Sequence, residues 1–154
     1  AAKARWSEID LTSAVWTLPP ERMKNRREHK IPLSQHALEI LSSMKAISEK
    51  REFVFPGARK PTSHANSASV NVAVKRMGFK SRLVSHGFRS IASTALNDCR
   101  FDTDLVEVAL SHADRNTVRS AYNRADYLEH RRKIMQWWSD YIHDAAPSIK
   151  SPKD

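Results

Sequence analysis

The chain has 154 residues, a net charge of +9 and a pI near 10.0, with 40% hydrophobic residues including four Trp and five Phe. That length suits one domain burying ~70% of its unfolded surface, and the aromatic content excludes a disordered chain. Three Gly, with neither GxGxxG nor GxxxxGK(S/T), leave a nucleotide cofactor without support, and the single Cys99 excludes an internal disulfide.

A lone cysteine suits a reducing compartment, no apolar run reaches the ~20 residues of a membrane span, and no signal-peptide pattern opens the chain. A soluble, intracellular protein is expected. The chain begins Ala-Ala-Lys-Ala without an initiator Met, so a fragment of something longer is also expected.

The first third reads as β. Arg5 to Leu11 alternates, Ala14 to Leu18 is a second short strand, and His29 to Leu33 a third. Pro19-Pro20 ends the second, and Glu21 to Glu28 reads as a loop. These predict a small three-stranded antiparallel sheet. After Ser34 the chain reads as mainly helical. Ser34 caps a helix carrying Leu38, Leu41 and Ile47 on one side. "FVFPG" interrupts, and Pro61 to Ser67 is loop-like. A helix over Ser69 to Met77 stops at Gly78, and Ser85 caps another from His86 to about Asn97. Asp102 and Asp104 suit the start of a helix running to Leu110. A shorter segment begins near Asn116 and ends at Tyr122. Asp126 and Glu129 form a capping-box-like pair, which makes Tyr127 the first residue of a closing helix with Leu128, Ile134, Met135, Trp138 and Ile142 as its apolar stripe. The fold class is therefore α+β, mainly helical, as a domain over 1–145 with a frayed tail at 146–154.

Charge is unevenly distributed. Phe53 to Asn97 contains no Asp or Glu but seven bases: Arg59, Lys60, Lys75, Arg76, Lys80, Arg82 and Arg89. A solvated surface mixes its signs, so this stretch points to a phosphate-rich partner, a nucleic acid.

Cleaving a nucleic-acid backbone with a tyrosine sets definite demands. A phenol of pKa ~10 is a poor nucleophile at neutral pH. The transition state gathers charge on nonbridging oxygens, which guanidinium forks satisfy, and the leaving alkoxide needs a proton from Lys or His. Metal is dispensable where cations supply the field. His86 and Arg89, three residues apart at a helix start, lie on one side where backbone N–H groups favour phosphate. The bare H-x-x-R has little specificity, since His112 and Arg115 make another. In isolation, Lys24 reads as a solvated basic turn, His112 as an exposed helix-end histidine and Tyr122 as a packing residue.

Taken in order, Lys24, His86-x-x-Arg89, Leu110-Ser111-His112 and Tyr122 resemble the catalytic domain of the tyrosine recombinases, the phage-integrase family. So do "RWSEIDL", "ERMKNRREHKIPLS", "HGFRSIAST" and "AYNRADYLEHRRKIMQWWSDY". The resemblance runs from about Arg5 to Tyr141, and these stretches look like integrases of prophages and genomic islands. It implies site-specific DNA integration or excision through a 3′-phosphotyrosyl link made by Tyr122. Arg89 would hold the scissile phosphate, Lys24 would protonate the 5′ oxygen, and His86 and His112 would bind phosphate and assist proton transfer. Neither cofactor nor metal is implied. The implied partners are double-stranded DNA attachment sites, sister subunits in a tetramer and accessory DNA-bending proteins, without a membrane, in the bacterial cytoplasm at the nucleoid. A second family arginine, in an R-x-x-E-like helix before "RWSEIDL", and the N-terminal DNA-binding domains are expected upstream of Ala1. Ser111 stands where Gly is common. A non-catalytic DNA-binding remnant of an integrase is the alternative, and a type IB topoisomerase fits the flanking motifs less well.

Overall fold

The structure is a computed structural model and describes residues 1–23, 26–110 and 124–145, with the backbone alone at 124–126. Three antiparallel strands among these residues, β1 (Ile9–Asp10), β2 (Val15–Leu18) and β3 (His29–Pro32), lie in the order β1-β2-β3. Ile9 faces Trp16 across the first pair, and Trp16 faces Ile31 across the second. The expected sheet is present, but its first strand is shorter than the alternation of Arg5 to Leu11 predicts. Trp6–Glu8 is instead a 3-10 turn. The reason is local bonding: the Arg5 N–H donates to Glu8 Oε2 (3.3 Å), the Glu8 N–H donates to the Arg5 carbonyl (3.1 Å), and Trp6 Nε1 reaches the Ser48 carbonyl (2.9 Å). Asp10 Oδ1 then accepts from the N–H groups of Thr12 and Ser13, turning the chain into β2.

Five α-helices follow among the described residues: α1 (Gln35–Ser48), α2 (Ser69–Val74), α3 (Gly87–Asp98), α4 (Thr103–Ala109) and α5 (Arg124–Ala145). Ser34 caps α1 by accepting from the Ala37 N–H (3.3 Å), as expected. Ile47 does not share the buried side with Leu41; it is 64% exposed. Nine residues at ~100° each place Ile47 opposite Leu38, and Ser48 takes the buried position, its Oγ 2.7 Å from the Val54 carbonyl. The helix α2 passes into a π-helical turn, Lys75–Phe79, in which Gly78 adopts φ 90°. The cap of α3 is His86 rather than Ser85, whose N–H is taken by Asn71 Oδ1 (2.7 Å). Asp102 caps α4 as expected, accepting from Asp104 and Leu105.

The closing helix differs from its predicted start. It is already helical at Arg124, so Asp126 is not its cap and Tyr127 is not its first residue. Glu129 turns forward to Arg132 (2.9 Å) instead of back to a cap. An acid three residues after another has the same spacing in a capping box and inside a helix, and here the available arginine decides. Ile134 is buried, Leu128, Met135 and Trp138 are half-buried, and Ile142 is 50% exposed. The segment expected from Asn116 to Tyr122 and the 146–154 tail lie outside the described residues.

Two apolar clusters hold the described residues together. Ala4, Leu41 and Val54 gather Trp6, Ile9, Trp16, Leu33 and Met44 between α1 and the sheet. Leu96, Val106 and Ile134 gather Phe101, Leu105, Trp137 and Trp138 between α3, α4 and α5. The helix α5 packs against α4, β3, α1 and α3. Polar contacts complete its seating: Gln136 Oε1 accepts from the Gln35 N–H (2.9 Å), and Arg132 donates to the carbonyls of Ser13 (2.9 Å) and Ala14 (3.3 Å).

Candidate functional site

The helix α3 turns Ala92 and Leu96 into the core, and His86 and Arg89 extend that same side to its first turn through spacings of three and four. His86 is therefore exposed at the cap while Arg89 is half-buried beside the core. The cap is tightly set. The Gly87 N–H donates to the Val84 carbonyl (2.8 Å) and the Arg89 N–H to the His86 carbonyl (3.1 Å). A Cβ on Gly87 would stand 3.1 Å from Leu83 Cδ1, so the close approach there suits glycine.

The cap lies within the acid-free stretch of the chain. Arg59, Lys60, Lys75, Arg76, Lys80 and Arg82 are all exposed, and none forms an ion pair with a described residue. The Arg82 guanidinium sits 5.7 Å from the Phe79 ring centroid. Met77 and Phe79 stand out between these bases at 69% and 38% exposure. Cations without acidic partners, interleaved with exposed apolar groups, suit a polyanion that also offers sugar and base surfaces.

Lys24, His112 and Tyr122 lie outside the described residues. Their flanks are described. The loop between β2 and β3 begins with a 3-10 turn, Pro20–Arg22, and the Arg26 N–H donates to the Met23 carbonyl (3.0 Å) across residues 24 and 25. Pro20, Glu21, Met23 and Arg26 line a shallow open cleft there. Leu110 caps the C-terminus of α4 two residues before His112, and α5 begins two residues after Tyr122. The structure thus brings His86 and Arg89 together at the start of α3.

Two buried charged residues escaped sequence reasoning. Glu8 accepts from Arg22 Nη1, Trp16 Nε1 (3.1 Å) and the Arg5 N–H (3.3 Å). Burial pushes its pKa up, but hydrogen bonds from Arg22, Trp16 and the Arg5 backbone, with the Arg22 charge, outweigh this and hold it below the ordinary value. An acid between Trp6 and Ile9 was the available signal. Arg131, 6% exposed, donates Nε to the Tyr127 carbonyl (3.1 Å) and faces His29 across the α5–β3 contact. Burial, and then the Arg131 charge, hold the His29 pKa below the ordinary histidine value. Among the described residues no group of three or more His, Cys, Asp or Glu is placed to hold a metal, and no helix is long and apolar enough to cross a membrane.

Residues 1–129 match the phage integrase family. The chain is 55% identical over 145 residues to a prophage integrase, IntA, of Escherichia coli K12, covering 94% of this chain and 35% of that protein. It is 42% identical over 151 residues to prophage integrase IntZ of the same organism, covering 96% and 37%. It is 37% identical over 155 residues to the integrase of Enterobacteria phage P4, covering 90% and 35%. The chain spans about a third of the length of these curated relatives. No solved structure matches it. With the family matched over most of its length and relatives this similar, the chain belongs to the phage integrase family.

Proposed function

We propose that this chain is the catalytic domain, over 1–145, of a site-specific DNA recombinase, and that it cleaves and rejoins DNA at attachment sites through Tyr122. The observation that carries the reading is the pairing of His86 and Arg89 on one side of the α3 start, within a stretch of the chain that carries exposed bases and no acids. Family membership supplies the reaction class.

In this reading Tyr122 attacks the scissile phosphorus, forming a 3′-phosphotyrosyl bond as the P–O5′ bond breaks. Arg89 donates two parallel hydrogen bonds to nonbridging oxygens, where charge accumulates. Lys24 gives its proton to the departing 5′ oxygen, His86 takes the proton of the Tyr122 phenol as its oxygen bonds to phosphorus, and His86 and His112 bind phosphate. The freed 5′ hydroxyl of a partner strand reverses the step, and the covalent link conserves the bond energy, so no nucleotide is consumed. A second arginine and further DNA-binding domains belong to the longer polypeptide, which assembles as a tetramer on two duplexes.

The test is covalent trapping of the full-length polypeptide on a nicked suicide substrate. Tyr122→Phe abolishes the adduct and Tyr127→Phe retains it. Because Tyr127 sits inside α5 rather than at its first position, its exclusion rests on this experiment and on the resemblance at Tyr122. An adduct that persists in Tyr122→Phe and vanishes in Tyr127→Phe overturns the assignment.

A further inference from the structure

Glu8 is the one buried carboxylate among the described residues. Taking a carboxylate out of water costs several kcal/mol unless donors replace the lost solvent. Here the donors converge from three places: the Arg5 backbone before the 3-10 turn, the Trp16 indole on β2, and the Arg22 guanidinium in the β2–β3 loop. Trp16 belongs to the β1–β2 hairpin and Arg5 to the turn that leads into it. Arg22 belongs to neither; it ends the Pro20–Arg22 turn, two residues before Lys24. From that turn the backbone continues tied, with the Met23 N–H on the Pro20 carbonyl (3.1 Å) and the Arg26 N–H on the Met23 carbonyl (3.0 Å). The described part of the loop is therefore tied by backbone bonds on both sides of Met23, and the Arg22–Glu8 pair fastens the Pro20–Arg22 turn to the start of the sheet.

We propose that Glu8 is a positioning residue for the reaction: through Arg22 it sets the loop from which Lys24 reaches the 5′-oxygen leaving group. The inference rests on Lys24 being the general acid. As the tyrosine oxygen gives its proton to His86 and bonds to phosphorus while the P–O5′ bond breaks, the Lys24 ammonium transfers its proton to the 5′ oxygen and is left neutral. Glu8 touches neither atom. It acts on the distance over which that proton moves.

A substrate differing by one atom separates this role from a structural one. Sulfur in place of the bridging 5′ oxygen leaves as a thiolate, whose conjugate acid has a pKa of ~8.5, and needs no proton. Suicide cleavage by the full-length polypeptide is measured on both substrates for Glu8→Gln, Arg22→Ala and Lys24→Ala. Arg22→Ala leaves the buried Glu8 carboxylate with only Trp16 and the Arg5 N–H as donors, whereas Glu8→Gln removes the buried charge itself, so circular dichroism checks the fold of both and rates are compared for the variants that keep it. On the oxygen substrate, Arg22→Ala and Glu8→Gln lose at least ~10-fold, below the ~10²–10⁴-fold expected for losing the general acid itself. On the sulfur substrate both cleave within about threefold of the parent rate, as does Lys24→Ala. An equal loss on both substrates, or no loss on oxygen, overturns the inference while Lys24→Ala is still rescued. Failure of sulfur to rescue Lys24→Ala instead overturns the assignment of Lys24 as general acid, and the inference with it.

Discussion

Replacing Lys75, Arg76, Lys80 and Arg82 together by alanine removes four exposed cations that have no acidic partner among the described residues. Each phosphate neutralised on duplex DNA contributes about −0.9 to the slope of log affinity against log salt. If all seven bases between Phe53 and Asn97 meet phosphates, this stretch supplies a slope of about −6, and the variant keeps about −3 of it. Between about 50 and 200 mM salt the parent then loses about 10⁴ in affinity through this face, and the variant less than ~10². Fluorescence anisotropy of a labelled attachment-site duplex over that range measures both slopes. Circular dichroism checks that the fold is kept, which the exposure of all four side chains predicts. A slope that changes by less than about one unit would show that these bases do not meet the backbone, and would remove the electrostatic argument for this face.

Ile134 is 1% exposed between Leu96 and Val106, so Ile134→Ala leaves a cavity and costs about 3 kcal/mol in urea unfolding; less than about 1 kcal/mol would mean the α5 contact is not a true core. The His29 pKa, held below the ordinary histidine value by burial and then by Arg131, makes stability depend on pH. The unfolded chain binds the proton first, so stability falls as pH drops through ~6.5 and levels off below the depressed folded-state pKa. His29→Gln flattens that part of a thermal-melt profile, and an unchanged profile would place the titration elsewhere. Gly78 has φ 90° and open space where a Cβ would stand, so Gly78→Ala costs about 1 kcal/mol from backbone strain alone, read by chemical denaturation; a neutral or stabilising result would refute the strain.

Local bonds make the helix starts at Ser34 and Asp102 legible in sequence, because each cap is one side chain bonding a backbone N–H two or three residues on. Features fixed by distant partners are not. Alternation over Arg5 to Leu11 suggests a strand, yet Trp6 is committed to Ser48 and Glu8 to Arg22, partners 42 and 14 residues away. The start of α5 is misleading because Arg132 competes for Glu129. In the candidate site, His86 and Arg89 are legible from spacing and from the family resemblance together. Glu8 is not, since its donors at positions 5, 16 and 22 converge only after β1 and β2 pair and the following loop folds back.

The helix α5 links the two groups of elements that flank the proposed site. The sheet and α1 form one cluster and α3 with α4 form another, and among the described residues every extensive contact between these two groups runs through α5. The loop flanking Lys24 belongs to the first group, and His86 and Arg89 to the second. Tyr122 precedes α5 by two residues in the chain. In the proposed mechanism a general acid and a phosphate clamp on separate groups act on one phosphate only if their separation is held to a fraction of an ångström. Among the described residues the element that joins the two groups is α5, seated by Ile134 on one and by Gln136 and Arg132 on the other. The buried Arg131 guanidinium at the α5–β3 contact is costly by itself, and its charge adds to burial in holding the His29 pKa below the ordinary histidine value.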